Sequence, residues 1–133
     1  MKQDDLQPEI AIGSLTCAKT DGTISFSMKF TNTIDENVVI YEVQVYATLP
    51  EGDTGPEQTQ NVGVELATGE ACDGTFAVYK AEGLPDDNTY YIDIIYEDEQ
   101  GDSFVEQYST AIKAGADGPL TVTPPVFLER YDL

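Results

Sequence analysis

Residues 84–96 constrain this chain most. Leu84 and Pro85 run into Asp86, Asp87 and Asn88, and a stretch rich in Tyr and Ile comes next. Pro85 fixes one backbone angle, and Asp and Asn are turn formers, so the stretch begins as a tight corner. Tyr90, Ile92, Ile94 and Tyr96 then fall on one face at period two, while Asp93 and Glu97 fall on the other with Tyr91 and Ile95 between them. That pattern is a long, half-buried strand. A Tyr placed just after such a corner can bury its ring and return its hydroxyl to the turn backbone.

The rest of the chain repeats the theme. Residues 9–19 read as a first strand whose apolar positions change parity, from Ile10 and Ile12 to Leu15 and Cys17. Gly13 between them predicts a bulge or a strand that switches sheets. Asp21 and Gly22 signal a hairpin. In residues 23–31, Ile24, Phe26, Met28 and Phe30 face in and the residues between them face out. The third strand, 38–49, is expected to put Tyr41, Val43, Val45 and Ala47 on one face and Glu42, Gln44 and Tyr46 on the other. A long loop rich in Gly, Pro and acid covers 50–60, and a short edge strand occupies 61–66. Residues 72–81 form the next strand, with Phe76 and Val78 inward. Residues 104–112 return after an acidic hairpin loop, with Phe104, Tyr108, Thr110 and Ile112 on one face.

No segment sustains an apolar 3.6 period over a helical length, and there is no internal repeat. About seven short strands recur at intervals of roughly ten to fifteen residues, which predicts an all-β, two-sheet antiparallel β-sandwich. The expected organisation is an N-terminal arm over 1–8, a sandwich over 9–113 and a C-terminal extension over 114–133.

The strand order and the corner resemble a fibronectin type III or related immunoglobulin-like domain. The family carries a Leu, a Pro shortly after it and a Tyr six positions after the Leu. Leu84, Pro85 and Tyr90 match, with the Pro one position early. The family's Tyr-x-Val pattern in the third strand is similar to Tyr41 and Val43. Its second-strand Trp is absent, since the chain has no Trp. The resemblance spans about residues 9–113 and implies the sandwich. It implies no particular function, because such domains serve as adhesion modules, spacers, pilus subunits and virion decorations.

Charge and composition exclude more than they assign. Acidic residues number 25 against 6 basic ones, a formal net charge of -19. Phosphate binding needs clustered Lys and Arg, so nucleic acid and anionic membrane surfaces are disfavoured as partners. A protein partner or assembly neighbour with a basic surface suits the charge, as does a solvated surface kept soluble by it. No apolar run is long enough to span a membrane. Residues 1–5 lack the apolar core of a signal peptide, so either the protein stays in the cell or a leader was cut away.

Catalysis is disfavoured. Without His there is no Ser-His or Cys-His nucleophile pair and no zinc site of the usual His or Cys-His kind. No Gly-rich phosphate loop occurs, and no cofactor is expected. Cys17 and Cys72 are read as free buried thiols. The inferred topology puts them towards opposite ends of the sandwich with the second strand between, beyond disulfide reach. One end of a sandwich would gather Asp21, Asp53, Asp86 and Asp87, and the other Asp35, Glu36, Glu97, Asp98, Glu99 and Asp102. Calcium takes six to eight oxygens, several from carboxylates, but residues 97–102 do not fit the EF-hand pattern, and solvated acidic loops are the expectation. Outward Tyr46, Tyr79, Tyr91 and Ile95 suit either a contact patch or cross-strand pairing on an exposed sheet, with pairing preferred.

The tail is the departure from the family pattern. Residues 114–119 read as a linker, and Val126, Phe127, Leu128 and Tyr131 beyond it are more apolar than a spare terminus should be. Pro124 and Pro125 forbid a central strand there. The segment either adds an edge strand to its own sandwich or lies on a neighbouring subunit. These four residues are the candidate partner-binding positions. The leading expectation is a non-catalytic structural or interaction module of a larger assembly, most concretely a virion surface (decoration) protein. The rival is an adhesion or spacer domain of a secreted or lipid-anchored bacterial protein, at the cell surface. A carbohydrate-active or calcium-dependent binding domain is a third reading.

Overall fold

The computed structural model describes residues 7–21, 23–47, 58–79, 88–113 and 115–133, with backbone alone for 58 and 75–79. Among these residues nine strands run in order: β1 (Ile10–Thr20), β2 (Thr23–Asn32), β3 (Val38–Tyr46), β4 (Gln58–Leu66), β5 (Ala71–Tyr79), β6 (Asn88–Glu97), β7 (Ser103–Ile112), β8 (Gly118–Leu120) and β9 (Val126–Asp132). They form two antiparallel sheets, β5-β2-β1-β8 and β4-β3-β6-β7-β9. The fold is an all-β two-sheet sandwich, as the alternating segments predict. All seven expected strands are present, and the tail supplies two more.

Alternation fixes the core. Ile24, Phe26, Met28 and Phe30 of β2 face Tyr90, Ile92, Ile94 and Tyr96 of β6 across the sheets, and all are buried. The Phe26 and Tyr90 rings meet edge to face at 5.3 Å, an inter-sheet contact worth about 1 kcal/mol beyond the area it buries. The corner expected before Tyr90, residues 84–87, lies outside the described residues. So do 1–6 and most of the 50–60 loop, and the side chains of Phe76, Val78 and Tyr79.

Bulges redirect β1 and β3. In β1 the register shifts between Gly13 and Thr16, and Ser14 adopts φ 53°, which resolves the parity change from Ile12 to Leu15. In β3 the register shifts between Ile40 and Glu42 against both neighbours. This corrects one expected face. Ile40, Val43 and Val45 point inward, while Tyr41 is exposed, its hydroxyl donating to Glu97 at 2.6 Å. The extra residue breaks the period of two, so counting back from Val43 misplaces Tyr41. Opposite the bulge, Gly63 holds φ 63°, a backbone angle that side chains disfavour.

The tail extends both sheets of the sandwich. β8 pairs with β1, Cys17 facing Leu120. The chain then returns to β7, where the Thr123 amide donates to the Ala111 carbonyl at 2.9 Å and the Lys113 amide to the Thr121 carbonyl at 3.0 Å. β9 next runs beside β7, Phe104 facing Asp132 and Ser109 facing Val126. One short segment therefore adds an edge strand to each sheet. Leu120 is buried between them, with Val122 and Phe127 packed against the same core.

Candidate interaction site on the C-terminal strand

Pro124 and Pro125 donate no backbone hydrogen bond, so pairing resumes only at Val126. β9 then lies at a sheet edge, as the prolines require. A register shift beside Gln107 and Tyr108 leaves Leu128 as the extra residue. The four candidate residues separate. Phe127 turns inward and its ring meets Tyr108 at 5.5 Å. Val126, Leu128 and Tyr131 turn outward with 55%, 42% and 42% of their surface exposed. Five large hydrophobic residues are exposed among the described residues: these three, Leu133 and Tyr41. Four of the five therefore lie in the last eight residues.

The strand is fastened from its inner face by charge. Glu106 of β7 is fully buried, and its carboxylate accepts the amides of Glu9 at 2.7 Å and Ile10 at 2.9 Å. Arg130 of β9 donates to the same carboxylate at 2.8 Å and to the Gln7 carbonyl at 3.0 Å. Tyr96 donates to Glu9 at 2.7 Å, and Tyr108 to the Ile10 carbonyl. Residues 9 and 10, β7 and β9 thus meet at one buried carboxylate, and Tyr96 of β6 joins them through Glu9. Burial pushes the Glu106 carboxyl above its usual value, against the pull of the two amides and Arg130. Sequence reasoning missed this group, although a signal was there. Glu106 shares parity with Phe104, Tyr108 and Thr110, and Arg130 is the single arginine of a chain with 25 acids.

The outer face of the five-stranded sheet is self-covering. Tyr46 is buried there, donating to Gln44 at 2.8 Å, and Gln44 donates to Glu42 at 2.6 Å. Gln107 donates to buried Asp93 at 3.0 Å. Tyr131 leans onto the same carboxylate, and burial together with Asp93 pushes its phenol up to about 12. Tyr91 faces Tyr46 across the strands, and Tyr91 and Ile95 are half-buried. Among the described residues, the proposed contact patch is therefore paired within itself.

The acidic loops of one end do come together. The Glu99 amide donates to Glu36 at 3.0 Å and the Asn37 amide to Glu99 at 2.7 Å, a reciprocal tie between two loops. Asp98 accepts from the amides of Gln100 and Asp102, both at 3.0 Å. These carboxylates satisfy loop backbone. At the other end Asp53, Asp86 and Asp87 lie outside the described residues. No grouping of three or more metal-ligating side chains occurs among the described residues, and no helix there is long and apolar enough to cross a membrane. Cys17 and Cys72 are both free, on strands separated by β2; burial raises the Cys17 thiol to about 11, which leaves it protonated and unreactive at neutral pH.

A concavity of about 480 Å³ opens where β9 ends, lined by Gly101, Asp102, Ser103, Phe104, Asp132 and Leu133. No protein-family model, curated protein or solved structure matches the chain.

Proposed function

We propose that the chain is a non-catalytic structural or interaction module of a larger assembly, with virion surface decoration as its most concrete form. The observation that carries this reading is the concentration of exposed apolar side chains, Val126, Leu128 and Tyr131 on a strand anchored from behind by Glu106 and Arg130, and Leu133 just after it. Contact surfaces favour aromatic and large apolar residues over isolated charges, and an anchored strand presents them without a large ordering cost.

We also infer that the sandwich is of the immunoglobulin-like, fibronectin type III-like kind. Its support is the division of β1, β2 and β5 from β3, β6 and β7, which parallels the division of the family's strands between two sheets. The fourth strand pairs with β3 instead of lying beside β5, which favours the type III branch over the constant-type arrangement.

Cross-linking mass spectrometry on the protein held in its native complex tests the module reading. Cross-links to other chains should concentrate on residues 126–133. A compact monomer in the source material, with contacts scattered over all faces, would sink it.

A further inference from the structure

The backbone of β9 has one side without a strand partner among the described residues, since β9 ends the order β4-β3-β6-β7-β9. The Leu133 amide donates to the Ser103 carbonyl at 3.0 Å, and hydrogen-bonded pairs alternate along an antiparallel ladder. Val105 faces Tyr131 and Gln107 faces Glu129. The amides of Glu129, Tyr131 and Leu133 therefore turn towards β7, and those of Arg130 and Asp132 turn towards the open edge. The Arg130 side chain is drawn inward to Glu106, so it does not cap that edge.

Many sheet edges are simply solvated, protected by charge, bulges and short length. β9 has a bulge and two acids, Glu129 and Asp132, which discourage pairing with a second copy of itself. Each copy also carries a net charge of -19, so two copies repel. The same charges attract a basic strand. The concavity at the end of β9 extends this complementarity. Its lining includes Asp102, Asp132 and Phe104, and a cation is favoured both by carboxylates and by an aromatic face.

We propose that the open edge of β9 takes an extended strand from a basic protein partner. That strand lengthens the five-stranded sheet and places a lysine or arginine in the concavity between Asp102, Phe104 and Asp132. Main-chain bonds at Arg130 and Asp132 set its register, and its alternate apolar side chains cover Val126 and Leu128. The proposal rests on the interaction-module reading and specifies its partner chemistry.

The test titrates the isotope-labelled full chain with a synthetic peptide that alternates valine and threonine and opens with an arginine pair, monitored by NMR. The Arg130 and Asp132 amides should shift and become protected from exchange. Binding should weaken with salt. It should fall on the order of tenfold when alternate peptide nitrogens are methylated, which removes strand bonds but keeps the side chains. Asp132→Asn should weaken the arginine peptide specifically. No binding, equal binding of the methylated peptide, or equal binding of a peptide opening with glutamates would overturn the edge proposal. If the peptide fails yet Leu128→Glu still prevents incorporation into the native complex, the edge proposal falls and the module reading stands. If Leu128→Glu incorporates normally, the module reading itself fails.

Discussion

Glu106 and Glu99 each accept backbone amides from a distant segment, one deep between the sheets and the other at a loop rim. Glu106 holds Glu9 and Ile10 across 97 and 96 residues of sequence, and Glu99 holds Asn37 across 62. The geometry is alike and the surroundings are opposite. At the loop, water replaces any lost bond. At Glu106 nothing does, because the carboxylate is fully buried and the guanidinium of Arg130 has only 18% of its side chain exposed. The same hydrogen bond thus decorates one region and holds another together.

The sharpest way to break this comparison is Glu106→Ala. It leaves two amides and Arg130 without their acceptor, and a loss of roughly 3 kcal/mol is expected from chemical denaturation. Hydrogen exchange in β9 should rise with it, since Arg130 loses its anchor. Glu106→Gln should lose less, because an amide oxygen still accepts one bond. A loss below that of a loop variant would show that the buried site relaxes and fills with water. Next in size is Phe127→Ala, which removes the inward anchor of β9 against Tyr108. About 2 kcal/mol is expected, again with faster exchange in β9. Glu99→Ala should cost about 1 kcal/mol or less, read in the same denaturation experiment.

A smaller effect sharpens the contrast between inner and outer faces. Burial first, then repulsion from Glu129, raises the Asp93 carboxyl, and the bond from Gln107 only partly offsets this. A carboxyl raised in the folded state contributes stability that is full below its unfolded value and is lost as pH rises through the folded value. Asp93→Asn should therefore have the higher Tm at neutral pH, and the gap should close on acidification through the ordinary carboxylate range. A gap that widens in acid would reverse the assignment. The smallest expected change in stability is for Leu128→Glu. Its side chain is exposed at a bulge, so its stability should stay within about 0.5 kcal/mol of the parent.

Much of the fold was legible because period two is a local signal. Ile24 to Phe30 and Tyr90 to Tyr96 declare their buried faces without reference to any other strand, and the prolines at 124 and 125 restrict the last strand to an edge. Tyr41 escapes that signal because a bulge is set by what the neighbouring strands require, and Tyr41 itself looks like any inward aromatic. Within the candidate site, Val126, Leu128 and Tyr131 were identifiable as apolar residues out of place in a tail. Phe127 could not be separated from them, since its inward turn depends on Tyr108 opposite.

The sequence by itself determined the class of structure and most of the inward faces, because side-chain alternation and turn chemistry act between near neighbours; it left 58–60 in a loop and 118–119 in a linker, where β4 and β8 in fact begin. Only the tertiary structure decided that residues 118–132 add an edge strand to each sheet, and that a lone arginine meets a buried glutamate 24 residues away. Those outcomes depend on desolvation and on backbone groups that remain to be paired, and neither exists until the two sheets have closed on each other.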